Sequence, residues 1–108
     1  MVLYYKGILC KKAGKTEEAQ KLYLAAIEEV EKLEDYQLAH LIYVETRRVL
    51  CFRELYEDAF KNFEKALHYA ELANNDKYIC SSYIFLARAI SALNQMNTSI
   101  DIIRKRFC

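Results

Sequence analysis

Laid over itself with Gly7 against Arg47 and Ala87, the sequence runs through three copies of one pattern, and this constrains the fold more than any other feature. Residues 7–33 align with 47–73, and 87–107 form the third copy. In that register Ala19, Ala59 and Ser99 coincide, as do Tyr23, Phe63 and Ile103, and Cys10, Leu50 and Ile90. Small side chains fall on small and large apolar ones on large, so what repeats is a packing template.

Each copy divides into two helical stretches. Residues 16–33 place Ala19, Leu22, Tyr23, Ala26, Ile27, Val30 and Leu33 on one stripe, at steps of three and four. Residues 56–73 repeat it with Tyr56, Ala59, Phe60, Phe63, Ala66, Leu67 and Ala70. The stretches 2–13, 36–54 and 77–93 are apolar over a wider face, as helices packed on two sides would be. Proline is absent and Gly7 and Gly14 are the sole glycines, which leaves little material for hairpins or long loops. Gly14 can end a helix in the left-handed conformation, with Thr16 capping the next and Glu17 and Glu18 in its positive first turn. Asp35 is the expected cap of the third helix. Asn74, Asn75 and Asp76 supply a stop and a start for the fifth, and Asn97 or Thr98 heads a sixth. The fold class that follows is all-α, six helices with consecutive ones antiparallel.

These residues give the chain a family likeness. It resembles the tetratricopeptide repeat (TPR) superfamily, in the long-repeat variety found in bacterial regulatory TPR proteins. Repeat one carries Gly7, Cys10, Gly14, Ala19, Tyr23 and Ala26 at the family's spacing; repeat two carries Leu50, Ala59, Phe63 and Ala66; repeat three carries Ala87, Ile90, Asn94, Ser99 and Ile103. Small side chains let paired helices approach and the ring fills the gap between them. Arg47 departs from the pattern at the small position of repeat two, as does Arg106 near the end of repeat three. The first-helix aromatic and the terminal proline are also missing. The resemblance implies a right-handed α-α superhelix, a solenoid of three helix pairs over repeats 1–34, 35–74 and 75–108 of one domain, 1–108. Ile100, Ile102, Ile103 and Phe107 lack an evident cover, so a fragment of a longer array is expected.

Charge is nearly balanced, at net +1, which removes the simplest attraction to nucleic acid or to a membrane surface. Residues 1–15 hold four lysines and no acid, 16–76 fourteen acids against seven bases, and 77–108 five bases against one acid. Positive ends around an acidic middle suit stacking as well as ligand binding. No apolar run reaches membrane-spanning length and no leader opens the chain. Cys10, Cys51, Cys80 and Cys108 lack metal-knuckle or redox spacing, so free thiols are expected and a cytoplasmic location with them.

Family likeness places a partner groove on the first helix of each pair. The candidate lining is Tyr4, Ile8, Lys11 and Lys12 in repeat one, Val44, Arg48, Cys51 and Phe52 in repeat two, and Ile84, Arg88 and Ser91 in repeat three. Arg48 and Arg88 stand one repeat apart and could grip carboxylates of an acidic peptide, with Tyr4 and Phe52 giving apolar contact. The alternative is that they solvate the face and pair with Glu45. The asparagine-bearing carboxylate clamp of chaperone-binding members has no counterpart here. His40 and His68 have no HExxH or similar context, and no nucleophile or phosphate-loop motif is present, so neither catalysis nor a metal or cofactor is expected. The basic run Arg104-Lys105-Arg106 is too isolated to suggest nucleic acid. The expected function is a protein or peptide interaction module, part of a larger regulatory or scaffold protein. The alternative is self-association, a homo-oligomer built through the C-terminal helix.

Overall fold

The computed structural model describes residues 2–94, side chains at 56 and 88–94 excepted, and these form five α-helices: α1 (Val2–Lys12), α2 (Thr16–Leu33), α3 (Tyr36–Phe52), α4 (Tyr56–Leu72) and α5 (Asp76–Asn94). The chain is therefore all-α over this span. The expected sixth helix, with Ile100, Ile102, Ile103 and Phe107, lies outside the described residues. Among the described residues no helix is long and apolar enough to cross a membrane.

The four connections are copies of one turn. Gly14, Glu34, Glu54 and Asn74, each half a repeat after the one before, all have positive φ, at 82°, 55°, 62° and 52°. At the first turn Gly14 N–H donates to the Lys11 carbonyl at 3.0 Å and Lys15 N–H to Cys10 at 2.8 Å. Glu34 and Asp35, Glu54 and Leu55, and Asn74 and Asn75 repeat this pair of bonds. They are the two bonds that satisfy the last carbonyls of a helix ending in a left-handed residue. The following residue (Lys15, Asp35, Leu55 or Asn75) at once heads the next helix, its carbonyl accepting from Ala19, Ala39, Ala59 or Ile79. Such short turns send each helix back along the one before it.

This economy decides the caps. Asp35 and Asn75 accept from the backbone N–H of Leu38 and Tyr78, each at 3.2 Å, as expected. Thr16 does not cap α2. Lys15 fills that place without a side-chain bond, which pushes Thr16 into the helix.

Packing follows the repeated template. Ala19, Tyr23, Ala26 and Val30 of α2 are fully buried, as are Ala39, Ile42 and Val49 of α3. Ala59, Phe63, Ala66 and Ala70 of α4 are also buried. Burying a side chain such as Val30 or Ile42 contributes roughly 1.5–3 kcal/mol. The ring of Tyr23 lies against Gly7: a Cβ there would sit 2.6 Å from Cε1 and 2.8 Å from Cδ1. Leu33 departs from the expected stripe and is exposed, because it ends its helix. Whereas α3 is covered on two sides, α1 exposes Val2, Tyr5 and Leu9, one stripe at steps of three and four.

A second repeated contact joins successive repeats. Tyr43 donates its hydroxyl to Glu31 at 2.8 Å, and one repeat further on Tyr83 donates to Glu71 at 3.2 Å. The Tyr69 ring stacks on Tyr43 at 5.5 Å and on Tyr36 at 6.0 Å. Burial, then the bond to Glu31, raises the Tyr43 phenol far above its ordinary value of 10.0. Cys10 and Cys80 are free thiols. Cys51 is disulfide-bonded, which departs from the expectation of free thiols throughout.

Candidate functional site

The first helices of the three pairs adjoin in sequence order. Lys11 of α1 forms an ion pair with Glu45 of α3. The His40 ring of α3 stacks on Tyr78 of α5, centroids 4.4 Å apart, and the Arg47 guanidinium lies 4.4 Å from the centre of the Phe85 ring. One face therefore runs across α1, α3 and α5. Its breadth shows in the Tyr4 phenol of α1, raised above its ordinary value first by burial and then by Glu45. Arg48 opposes that shift and Tyr78 of α5 adds to it.

Charge on this face is uneven. Glu45 is mostly buried and accepts from Arg48 at 2.9 Å while holding Lys11. Arg47, only 7% exposed, is lowered to about 10, chiefly by burial and then by the adjacent charge of Arg48, against which Glu45 acts. Three cations thus share the field of one carboxylate. The alternative reading of Arg48, a partner for Glu45, holds. That exposed contact one turn apart is worth at most about 1 kcal/mol, so it leaves the guanidinium available for exchange.

Beside Arg48 a pocket of about 300 Å³ opens between α3, α4 and α5, with Val44, Arg47, Phe63, Tyr78, Ser82 and Phe85 among its walls and no acidic residue lining it among the described residues. His40 also lines it. Its Nδ1 lies 2.7 Å from the Ala66 carbonyl, and since a carbonyl can only accept, Nδ1 carries the proton. Burial lowers the His40 pKa, partly offset by that bond, and so favours the neutral ring.

The chain matches no protein-family model, no curated protein and no solved structure.

Of the candidate residues, Tyr4, Ile8, Lys11 and Val44 are half-buried and Arg48 is exposed, and Lys11 and Arg48 meet at Glu45. Val44 and Arg48 also border the pocket. Lys12 and Phe52 are exposed at the ends of α1 and α3, and Ile84 is exposed on α5. Cys51 is half-buried. Arg88 and Ser91 fall on α5, but their side chains, and with them the two-arginine grip, lie outside the described residues.

Sequence reasoning missed the pocket. His40, Val44 and Arg47 stand at steps of four and three, as do Tyr78, Ser82 and Phe85, so each trio is legible as a helix face. That the two faces meet depends on how neighbouring helices cross, which periodicity within one helix does not encode.

Proposed function

We propose that the chain is a TPR-like solenoid and that the α1–α3–α5 face binds an acidic segment of a partner protein. Two regularities support the solenoid: the identical turns at every half-repeat, and the Glu31–Tyr43 and Glu71–Tyr83 contacts one full repeat apart. A constant turn and a constant joint stack helix pairs at a constant angle, which builds a superhelix. We read 1–108 as one such domain, with an interaction role rather than a catalytic one, as part of a regulatory or scaffold protein.

The observation that carries the binding reading is Lys11 and Arg48 paired on Glu45, beside a pocket whose described walls carry Arg47 and no acidic residue. An incoming carboxylate would find cations already held in place and apolar surface for its neighbours. Tyr4 and Val44 supply that surface on either side. Electrostatic complementarity of this kind sets partner choice and association rate.

Calorimetric titration tests it, using a capped peptide alternating glutamate and leucine against its glutamine counterpart. The glutamate peptide binds at least roughly tenfold tighter, weakens as salt is raised, and loses most of that advantage with Arg48→Glu. Equal affinity for both peptides, or none for either, would refute the reading.

A further inference from the structure

We propose that α1 carries a second binding surface, which takes an acidic amphipathic helix of another protein. Val2, Tyr5 and Leu9 form its seam, and Lys6 and Lys12 its edges. Gly7 and Lys11 turn to Tyr23 of α2 and Glu45 of α3, and at 3.6 residues per turn the seam lies on the opposite side of the helix. The inference does not rest on the binding reading of the α1–α3–α5 face.

The repeat shows what this side of the helix is for. In register, Val2, Tyr5 and Leu9 take the places of Ile42, Glu45 and Val49. In α3 those places face the preceding repeat. Ile42 and Val49 are fully buried, in one core cluster with Ala19, Ala26 and Val30 of α2. Glu45 pairs with Lys11 of α1, and Arg53, four residues beyond Val49, bonds Gln20 and Glu17 of α2. In α1 the same places are 67, 63 and 66% exposed. They are also more apolar than their buried counterparts, because Tyr5 stands where α3 has Glu45. The Tyr5 ring leans on that of Tyr4, centroids 5.5 Å apart, which holds it ready for contact. Single apolar side chains are ordinary on a surface, whereas an open stripe that repeats a buried helix–helix seam is a contact surface.

The occupant is specified twice. First, α3 sets these places against α2, a helix that alternates alanines with larger apolar side chains and carries Glu17, Glu18, Glu28, Glu29 and Glu31 against Lys21 and Lys32. Second, the charge of α1 calls for the same chemistry. Lys6 and Lys12 are exposed, one along each edge of the stripe, and α1 holds no acid. An incoming helix with carboxylates beside its apolar seam meets an ammonium group on either edge. A second copy of α1 would instead crowd lysines along one seam with no acid to offset them.

A capped peptide with the sequence of residues 16–33 is the probe, with a scrambled peptide of the same composition as control. Each is titrated into the full chain while backbone amide resonances and helicity are followed. The 16–33 peptide binds saturably, gains helicity, shifts Val2, Tyr5 and Leu9, and binds at least roughly tenfold tighter than the scrambled one. Leu9→Lys, at an exposed position, weakens it at least roughly tenfold, and Tyr5→Lys does the same if that variant fails to fold. Lys6→Glu with Lys12→Glu weakens it and removes its salt dependence. Arg48→Glu, the control from the other face, leaves it unchanged, so the two readings fail separately. Equal binding of both peptides, or none, overturns the inference. Shifts centred on Ile42 and Val49 also overturn it, since the peptide would then be displacing α2. Light scattering tests the rival occupant: a dimer that Leu9→Lys abolishes would put a second copy on the stripe in place of the acidic helix.

Discussion

Replacing Gly7 by alanine adds one carbon where the Tyr23 ring lies against the glycine. That carbon would stand 2.6 and 2.8 Å from two ring carbons of Tyr23, where carbon–carbon contacts normally begin near about 3.5 Å. Close to 1 Å must be recovered by moving α1 or the ring. The ring has nowhere to go, since Tyr23 is fully buried. Overpacking of this kind costs about 1–3 kcal/mol, and alanine returns about 1 kcal/mol of helix propensity. The net loss is about 1–2 kcal/mol, or a Tm lowered by roughly 5–10 °C for a domain of this size. A double-mutant cycle isolates the contact. In a Tyr23→Leu background, where the ring is gone, Gly7→Ala turns neutral or stabilising. If Gly7→Ala alone raised the Tm, the ring would not rest on the glycine and the packing template would be wrong.

Tyr23→Phe raises stability by about 1 kcal/mol in thermal unfolding, because the buried Tyr23 hydroxyl has no hydrogen-bond partner among the described residues and Phe63 already fills the equivalent place; a loss of stability would mean a partner exists. Glu54→Gly stabilises by about 0.5–1 kcal/mol, since φ of 62° strains a side-chain-bearing residue and glycine's freedom in the unfolded chain takes back only part of the relief. The same change at exposed, helical Glu57 destabilises instead, and parallel denaturant curves compare the two. For His40 the folded pKa lies below the ordinary 6.5, so the unfolded chain binds more protons between those values. Its contribution is present above pH 6.5 and lost as pH falls through the folded value. His40→Asn keeps a donor for Ala66 but cannot titrate, so it flattens that part of the stability–pH curve; an unchanged curve would assign the acid sensitivity elsewhere.

Helix positions are legible in the sequence because the stripes at three and four are long and the breaks are marked by Gly14, Asp35 and Asn74-Asn75. Thr16 misleads because a turn this short makes one residue serve as the end of one helix and the head of the next, leaving no room for a separate cap. Glu34 and Glu54 give no signal either, as their left-handed conformation is imposed by the turn and not by their own preference. The Glu31–Tyr43 and Glu71–Tyr83 pairs match in the repeat register, but only the crossing of neighbouring helices shows that they touch. For the candidate site, the family resemblance puts Tyr4, Ile8, Lys11, Val44 and Arg48 on first helices. Arg47 stands out in the sequence only as a misfit, and the same misfit walls the pocket.

The most direct test of the binding face is to map where the glutamate–leucine peptide lands on the chain. Backbone amide shifts during titration would concentrate on α1, α3 and α5, at Tyr4, Ile8, Val44, Arg48 and Tyr78, and leave the exposed side of α2 and α4 unmoved. Shifts centred on α2 and α4 would place binding on the opposite face and contradict the account.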